Sequence, residues 1–213
     1  SSFPLTYAEK GLLQVKLHGP GWDDLPLQAG QALNVVPDKA TYAGHRLEEL
    51  LPVLDQSGVQ YSQTEDSVTV MGVSKHSKDA AEGVNAIVGL AESLSLIQPH
   101  PALLFIADAV GEDATGEALF GPISDEPSGD LSFNLATLVI DQEQSEIGID
   151  IRIPVLADKD ALVARLQEIA ASYQLEYEEF DYLAPLYVPL DSPLVSSLMA
   201  VYQEETGDKT PAM

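Results

Sequence analysis

Two segments of the chain alternate apolar and polar residues with a period of two, and this pattern requires a fold that contains a half-buried β-sheet. In residues 149–155, Ile and Val at the odd positions alternate with Asp150, Arg152 and Pro154, and residues 13–18 alternate in the same way. Successive side chains of a strand point to opposite faces of a sheet, so each segment predicts a strand with one apolar and one polar face. Arg152 is expected on the polar face.

Strand and helix patterns follow one another along the chain in the same order twice. The predicted elements are a strand over 33–44, a helix over 46–57, strands within 59–72 and a helix over 79–95, then a strand over 147–155, a helix over 159–172, strands within 175–189 and a helix over 192–205. Each series has the order β-α-β-β-α. This order predicts an α+β fold of two duplicated, ferredoxin-like halves, with mainly antiparallel sheet and helices on one face.

Local residue choices predict several finer features. Residues 31–37 are predicted as a short strand, and Ser77 is predicted to cap the helix that follows it. The apolar segment 99–110 is predicted as a helix. Residues 111–130 are rich in Gly, Asp, Glu, Ser and Pro, so they are predicted as a loop that divides the two halves.

Charge and composition exclude several classes of partner. The net charge of -24 arises from 34 acidic and 10 basic residues, so nucleic acid and anionic membranes would be repelled. There is no cysteine, which excludes disulfides and thiolate metal sites. No apolar run reaches the ~20 residues of a membrane span. No Lys or Arg lies between Lys78 and Arg152, so Arg152 is an isolated cation in an acidic region.

The chain lacks the residue patterns of an independent catalyst. A hydrolytic zinc site needs about three converging His or carboxylate ligands. The four histidines are His18, His45, His76 and His100, and none belongs to an HxxxH or HxD arrangement. There is no P-loop, no GxGxxG motif and no GxSxG nucleophile motif. Catalysis by this chain alone is therefore not expected.

Four segments carry a resemblance to a known family and occur in the order that the family has. They are Tyr7-Ala-Glu9-Lys10-Gly11, Asn34-Val-Val-Pro37-Asp38, Gly72-Val-Ser-Lys-His76 followed by Gly83-Val-Asn85-Ala86, and Asp150-Ile-Arg152-Ile-Pro154. They resemble motifs of the dinuclear zinc peptidases that include dipeptidase V, the carnosinases and the succinyl-diaminopimelate desuccinylases, and they are most similar to the dipeptidase V branch. Ile153 replaces the family's aromatic residue and Lys75 its small or apolar residue, but neither change removes a functional group.

The resemblance implies that the chain is the lid, or dimerisation-like, domain of such an enzyme. The family's ligands for two zinc ions lie before and after the lid and have no match here, so we expect no zinc in this chain and a separate catalytic domain as its partner. The expected divisions are a linker strand over 1–12, a first lid half over 13–128, a second lid half over 129–190, and a helix and tail over 191–213 that return to the catalytic domain. A cytoplasmic enzyme is implied, and the doubled lid, which resembles the lid dimer of simpler members, implies a monomer.

The resemblance also assigns roles to three residues. His76 is implied to donate a hydrogen bond to the oxyanion formed at the peptide carbonyl, Arg152 to bind the terminal carboxylate of a dipeptide, and Asn34 to hydrogen-bond the substrate. Each residue has an alternative interpretation: a solvated histidine, a salt bridge from Arg152 to an acid such as Asp150, and an asparagine that bonds its own backbone. Asn85 is expected to make a local structural bond.

A second hypothesis assigns the chain to a different functional class. Repeated β-α-β-β units also occur in free-standing ferredoxin-like modules that bind small molecules or dimerise, and the order of elements does not exclude such a module. A self-contained module should bury its terminal segments, whereas an inserted lid should have both ends on one side.

Overall fold

The computed structural model describes residues 5–23 and 26–212. The strands are β1 (Ala8–Glu9), β2 (Gly11–Pro20), β3 (Leu27–Ala29), β4 (Lys39–Tyr42), β5 (Tyr61–Gln63), β6 (Val68–Met71), β7 (Ser124–Asp125), β8 (Gly129–Asp130), β9 (Ser132–Ile140), β10 (Gln144–Ile153), β11 (Glu176–Leu183) and β12 (Leu186–Tyr187). The α-helices are α1 (Leu47–Ser57), α2 (Ala86–Ser95), α3 (Pro101–Leu104), α4 (Glu117–Phe120), α5 (Lys159–Ser172) and α6 (Pro193–Thr206), with a 3-10 helix over Ser77–Glu82 and a π-helix over Phe105–Val110.

The central sheet has five antiparallel strands in the order β11-β2-β10-β9-β3. The predicted alternation decides its two faces. The odd-numbered residues of β2 and β10, such as Val15 and Ile149, are fully buried, and Val15 is the cross-strand partner of Ile149. The other face of these strands carries polar side chains, among them Gln14, Asp150 and Arg152. We call it the polar face.

A second, three-stranded antiparallel sheet in the order β4-β6-β5 lies in the first half of the chain. Helix α1 ends where the sequence predicts, because Gly58 has φ 76° and stops the helix in the left-handed conformation. Helix α2 packs against β4, β6 and β9, so it joins this sheet to the central one. The π-helix contacts the end of α5 through Phe105, whose ring packs edge-to-face on that of Tyr173, the residue after the helix, with ring centroids 5.7 Å apart. All these elements contribute to one apolar core.

The predicted α+β class with mainly antiparallel sheet is confirmed. Both predicted series have the order β-α-β-β-α, but their strands pair differently. In the first series β4, β6 and β5 form one sheet, whereas in the second series β2 lies between β10 and β11, and β12 pairs with β1. Strand β2, from the predicted first half, is therefore hydrogen-bonded to β10 and β11 of the predicted second half. The boundary between residues 128 and 129 stays a prediction. Residues 1–4 of the predicted linker and residue 213 lie outside the described residues.

The predicted strand over 31–37 is wrong. This segment is irregular apart from one bridge between Val35 and His76, and the strand begins only at Lys39. Its backbone groups have partners other than a sheet edge: the N–H of Val36 donates to the carbonyl of Lys75 over 2.8 Å. The segment does not form a strand because its backbone groups hydrogen-bond to the loop that contains Lys75 and His76.

The predicted helix over 79–95 forms as two separate pieces, and the predicted Ser77 cap is wrong. A 3-10 helix ends at Glu82, and α2 begins only at Ala86. Val84 separates them because it forms an antiparallel bridge with Val73. The cap of α2 is Asn85, whose side-chain oxygen accepts the N–H groups of Ile87 and Val88.

The predicted helix at 99–110 is confirmed as α3 followed by the π-helix. The predicted loop over 111–130 is mostly irregular, but it contains the short helix α4 and the hairpin β7-β8. No helix within residues 5–23 and 26–212 is both long and apolar enough to cross a bilayer.

Burial of His100 generates the first prediction. Its Nδ1 accepts the Ala102 N–H (3.2 Å), its Nε2 donates to the carbonyl of Pro20 (3.0 Å), and its ring contacts Trp22. Burial lowers the pKa of His100, against the opposing effect of the backbone hydrogen bonds. A lowered folded-state pKa means that the neutral form stabilises the fold above pH ~6.5, the unfolded value, and that this stability is lost as the pH falls through the folded pKa.

We therefore expect the free energy of unfolding to fall between pH 7 and pH 5, and to fall less steeply in His100→Gln, as measured by urea denaturation. The exposed His45→Gln is the matched control and should keep the wild-type slope. Equal slopes in all three proteins would contradict a contribution from His100.

Candidate functional site

A loop over residues 73–84, here called the histidine loop, carries His76 above the polar face. Its two ends meet at the Val73–Val84 bridge. A side chain at Gly72 would overlap the carbonyl of Val84, and a Cβ at Gly83 would come 2.9 Å from the carbonyl of Val73. The two glycines of the motif are therefore required by close backbone approach, and they determine the shape of the loop.

Asn85 attaches the end of the histidine loop to the central sheet. Besides capping α2, its Nδ2 donates to the carbonyl of Leu135 in β9 over 2.6 Å. The expected local bond of Asn85 is thus present, together with a long-range bond that the sequence does not predict. One side chain thereby positions both the start of α2 and the base of the loop.

The segment over residues 31–38, here called the asparagine segment, lies beside the histidine loop. Val35 is bridged to His76, and the Ser77 N–H donates to the carbonyl of Asn34 over 2.9 Å. From the sheet below, Nδ2 of the buried Asn134 donates to the carbonyls of residues 33 and 35, each over 3.0 Å. The backbones of Asn34 and His76 are therefore held next to each other, and both side chains are exposed.

Arg152 lies on the same face and contacts the histidine loop. Its Nε donates to Oδ1 of Asp150 (2.8 Å) and its Nη2 to Oδ2 (3.3 Å), which forms a two-point ion pair along one edge of the guanidinium. Its Nη2 also donates to Oγ of Ser77 over 3.2 Å. Asp150 is completely buried and accepts a third bond from Gln14 over 2.9 Å. The salt-bridge interpretation of Arg152 is therefore realised in this chain.

Ser77 contacts every part of this arrangement. It is fully buried, its N–H reaches Asn34, its Oγ accepts from Arg152, and its carbonyl accepts a short hydrogen bond from the hydroxyl of Ser132 in β9. The three segments that the sequence singles out are thus joined through one residue adjacent to His76.

The hydrogen bonds of His76 define its tautomer. Its Nδ1 accepts the N–H of Lys78 over 3.2 Å, so the neutral ring carries its proton on Nε2. Among the described residues, Nε2 has no hydrogen-bond partner. Lys75 and Lys78, its neighbours in the loop, are paired with Glu82 over 2.9 Å and with Asp79 over 4.0 Å. The exposed edge of His76 is therefore a hydrogen-bond donor without a partner among the described residues.

Two clefts adjoin these segments. One, of about 570 Å³, is lined by residues such as Gly72, Val84 and Asn134, and the other, of about 650 Å³, by residues such as Val35 and Pro37. Neither includes His76 or Arg152 in its lining. Of the candidate residues, His76 and Asn34 are exposed, whereas only a fifth of the Arg152 side chain is.

Metal ligands are the remaining chemical requirement of the predicted enzyme. Within the described ranges, no group of three or more His, Cys, Asp or Glu side chains could hold a metal ion. The residues of this part of the chain therefore do not fit a zinc site.

Sequence comparison relates the chain to proteins named as dipeptidases. No protein-family model matches it. It is 30% identical to the "Putative dipeptidase YtjP" of Bacillus subtilis (strain 168), over 98% of this chain and 50% of the relative. Identity is 27% to MW1694 of Staphylococcus aureus (strain MW2) and 24% to SH1171 of Staphylococcus haemolyticus (strain JCSC1435), which carry the same type of name. The chain thus spans about half the length of the curated relatives it matches.

Two solved structures align with almost the whole chain at low similarity. The aminoacylhistidine dipeptidase of Vibrio alginolyticus gives a TM-score of 0.46 at 12% identity, over 98% of this chain and 51% of that one. The M20 family metallo-carboxypeptidase Sso-CP2 of Sulfolobus solfataricus gives a TM-score of 0.40 at 13% identity, over 99% of this chain and 46% of that one. Both alignments therefore cover about half of the solved chain.

The buried ion pair generates a prediction about stability. In Asp150→Asn the Arg152 cation loses its counter-ion, and we expect a loss of about 3 kcal/mol, at the low end for a broken buried pair because Arg152 is a fifth exposed. Glu146→Gln is the matched control on the same strand and face. It breaks the pair with Lys16, in which each side chain is just over a quarter exposed, and should cost at most about 1 kcal/mol. Urea denaturation measures both, and equal losses would show that Asp150 has no special weight.

Proposed function

We propose that this chain is the lid and substrate-clamping region of a cytoplasmic, monomeric, zinc-dependent dipeptidase, and that it is inactive without a catalytic domain outside the chain. The observation that carries the proposal is the contact between His76, Asn34 and Arg152 segments on one face of the central sheet. These segments are far apart in sequence, and each contains one of the motifs that resemble those of the zinc peptidases. The similarity to dipeptidase-named relatives supports the same reading.

In this proposal His76 supplies the hydrogen bond to the carbonyl oxygen of the scissile peptide. Its Nε2–H is the exposed donor, since Nδ1 is occupied by the Lys78 N–H. A donor positioned where negative charge develops typically contributes about 3 kcal/mol to lowering the barrier.

The proposed roles of Arg152 and Asn34 concern substrate length and orientation. Nη1 of Arg152 has no partner among the described residues, so it is available to the terminal carboxylate of a dipeptide. The side-chain amide of Asn34 is exposed beside His76 and can hydrogen-bond the substrate backbone. Zinc chemistry is assigned to residues outside this chain, because the described residues do not fit a metal site.

Helix α6 supports a partner domain over a self-contained module. Leu194, Leu198 and Val201 recur at helical spacing and are exposed, as is Leu190 just before the helix, whereas Val195 is the buried residue of this helix. A 14-residue helix is only marginally stable in water without packing. The pairing of β1 with β12 also places the first strand beside the segment that leads into α6. A free-standing module should instead bury its terminal segments.

The proposed catalytic role is tested in the longer protein. His76→Ala should lower kcat by about 10²- to 10³-fold with little change in KM, because the lost bond forms mainly as charge develops. The exposed His45→Ala is the matched control. The chain alone, with zinc and dipeptides, should give no turnover. Substantial hydrolysis by the chain alone, or a pure KM effect of His76→Ala, would refute the proposal.

The partner surface is tested by two substitutions on α6. Leu198→Glu should change the free energy of unfolding of the isolated chain by under about 0.5 kcal/mol, since this leucine is exposed. Val195→Glu buries a charge and should cost about 3 kcal/mol. In the longer protein Leu198→Glu should become as damaging as Val195→Glu, as measured by thermal unfolding. A harmless Leu198→Glu in both proteins would exclude α6 as a domain contact.

A further inference from the structure

The hydrogen bonds of Arg152 limit how a carboxylate can bind to it. A guanidinium has five N–H donors in a plane, and a carboxylate binds most strongly through two parallel bonds along one edge. The edge made by Nε and Nη2 is occupied by Asp150. The second edge that can donate two parallel hydrogen bonds is the one made by Nη1 and Nη2.

Ser77 occupies half of that remaining edge. Because one proton of Nη2 is used by Asp150, its bond to Oγ of Ser77 uses the other proton, which faces the Nη1 side. A carboxylate that binds through both nitrogens must therefore replace the Ser77 hydroxyl. Since a carboxylate is a charged acceptor and the hydroxyl a neutral one, the carboxylate forms the stronger bond.

We infer that Ser77 is a positioning residue that competes with the substrate carboxylate for Arg152 and thereby couples carboxylate binding to the histidine loop. This inference rests on the proposed binding of a carboxylate by Arg152. When Nη2 turns to the carboxylate, the Ser77 hydroxyl is released. The histidine loop then loses one of its bonds to the polar face, next to the residue that carries the proposed oxyanion donor.

The other bonds of Ser77 make the effect local. Its N–H remains bonded to Asn34 and its carbonyl to Ser132, so the backbone of the loop stays attached while its side-chain contact changes. His76 is the neighbouring residue, and its carbonyl accepts the N–H of Asp79 over 2.8 Å. The change is therefore transmitted first to the backbone and ring of His76.

The chain itself allows a direct test by NMR titration with glycylglycine and with glycylglycinamide, which lacks the carboxylate. In the wild type, glycylglycine should shift the backbone amide signals of His76 and Ser77 and the guanidinium signals of Arg152. Glycylglycinamide should shift none of these signals. In Ser77→Ala we expect the dissociation constant for glycylglycine to fall about tenfold, because the competing bond to a charged donor is gone. The shift of His76 should shrink in the same variant.

Ser74→Ala is the matched control, since Ser74 lies in the same loop and is exposed. It should bind glycylglycine as the wild type does. Equal or weaker binding by Ser77→Ala would overturn the inference, because Ser77 would then orient Arg152 instead of competing for it. An Arg152 signal that does not respond to glycylglycine in the wild type would overturn it as well, without need of a variant. The proposed dipeptidase function would still be judged separately, by turnover of the longer protein.

Discussion

A carboxylate without solvent contact needs hydrogen-bond donors for both of its oxygens. Asp150 obtains them from Arg152, which donates to both oxygens, and from Gln14, which donates to Oδ2. This ion pair positions the guanidinium, which in turn donates a hydrogen bond to Ser77. The histidine loop and the asparagine segment contact each other next to that point. Removing the carboxylate would therefore affect the whole site, because a cation would remain beside the loop with no opposite charge to neutralise it.

Much of this molecule follows from residue patterns that act locally. Strands β2 and β10 are fixed by strict alternation of apolar and polar residues, and α1 by an apolar stripe with Gly58 after it. The motif around His76 also corresponds to a real structural unit, since its glycines allow the loop to close. These features depend on neighbours a few residues away, which a sequence displays directly.

Other features depend on contacts between distant residues, and the sequence did not predict them. Residues 31–37 have a strand-like composition, yet their backbone groups bond to Lys75 and Asn134, more than thirty positions away. Ser77 resembles a helix cap in sequence, but in the fold it is buried and hydrogen-bonds to Asn34, Arg152 and Ser132. Asn134 carries no motif, and its role appears only when β9 lies beneath the asparagine segment. A buried polar residue within a predicted strand is the one signal that would have identified it.

The position of β2 has a consequence for motion. This N-terminal strand is hydrogen-bonded along one edge to β10 and along the other to β11, which places it inside the sheet of the C-terminal segment. Sliding one half of the chain past the other would break both ladders at once. The central sheet is therefore expected to move as one rigid body. In the proposed dipeptidase, any opening and closing over a bound peptide would occur where the polypeptide leaves this sheet, near β1 and β12, so flexibility would be concentrated at the boundary with the proposed catalytic domain.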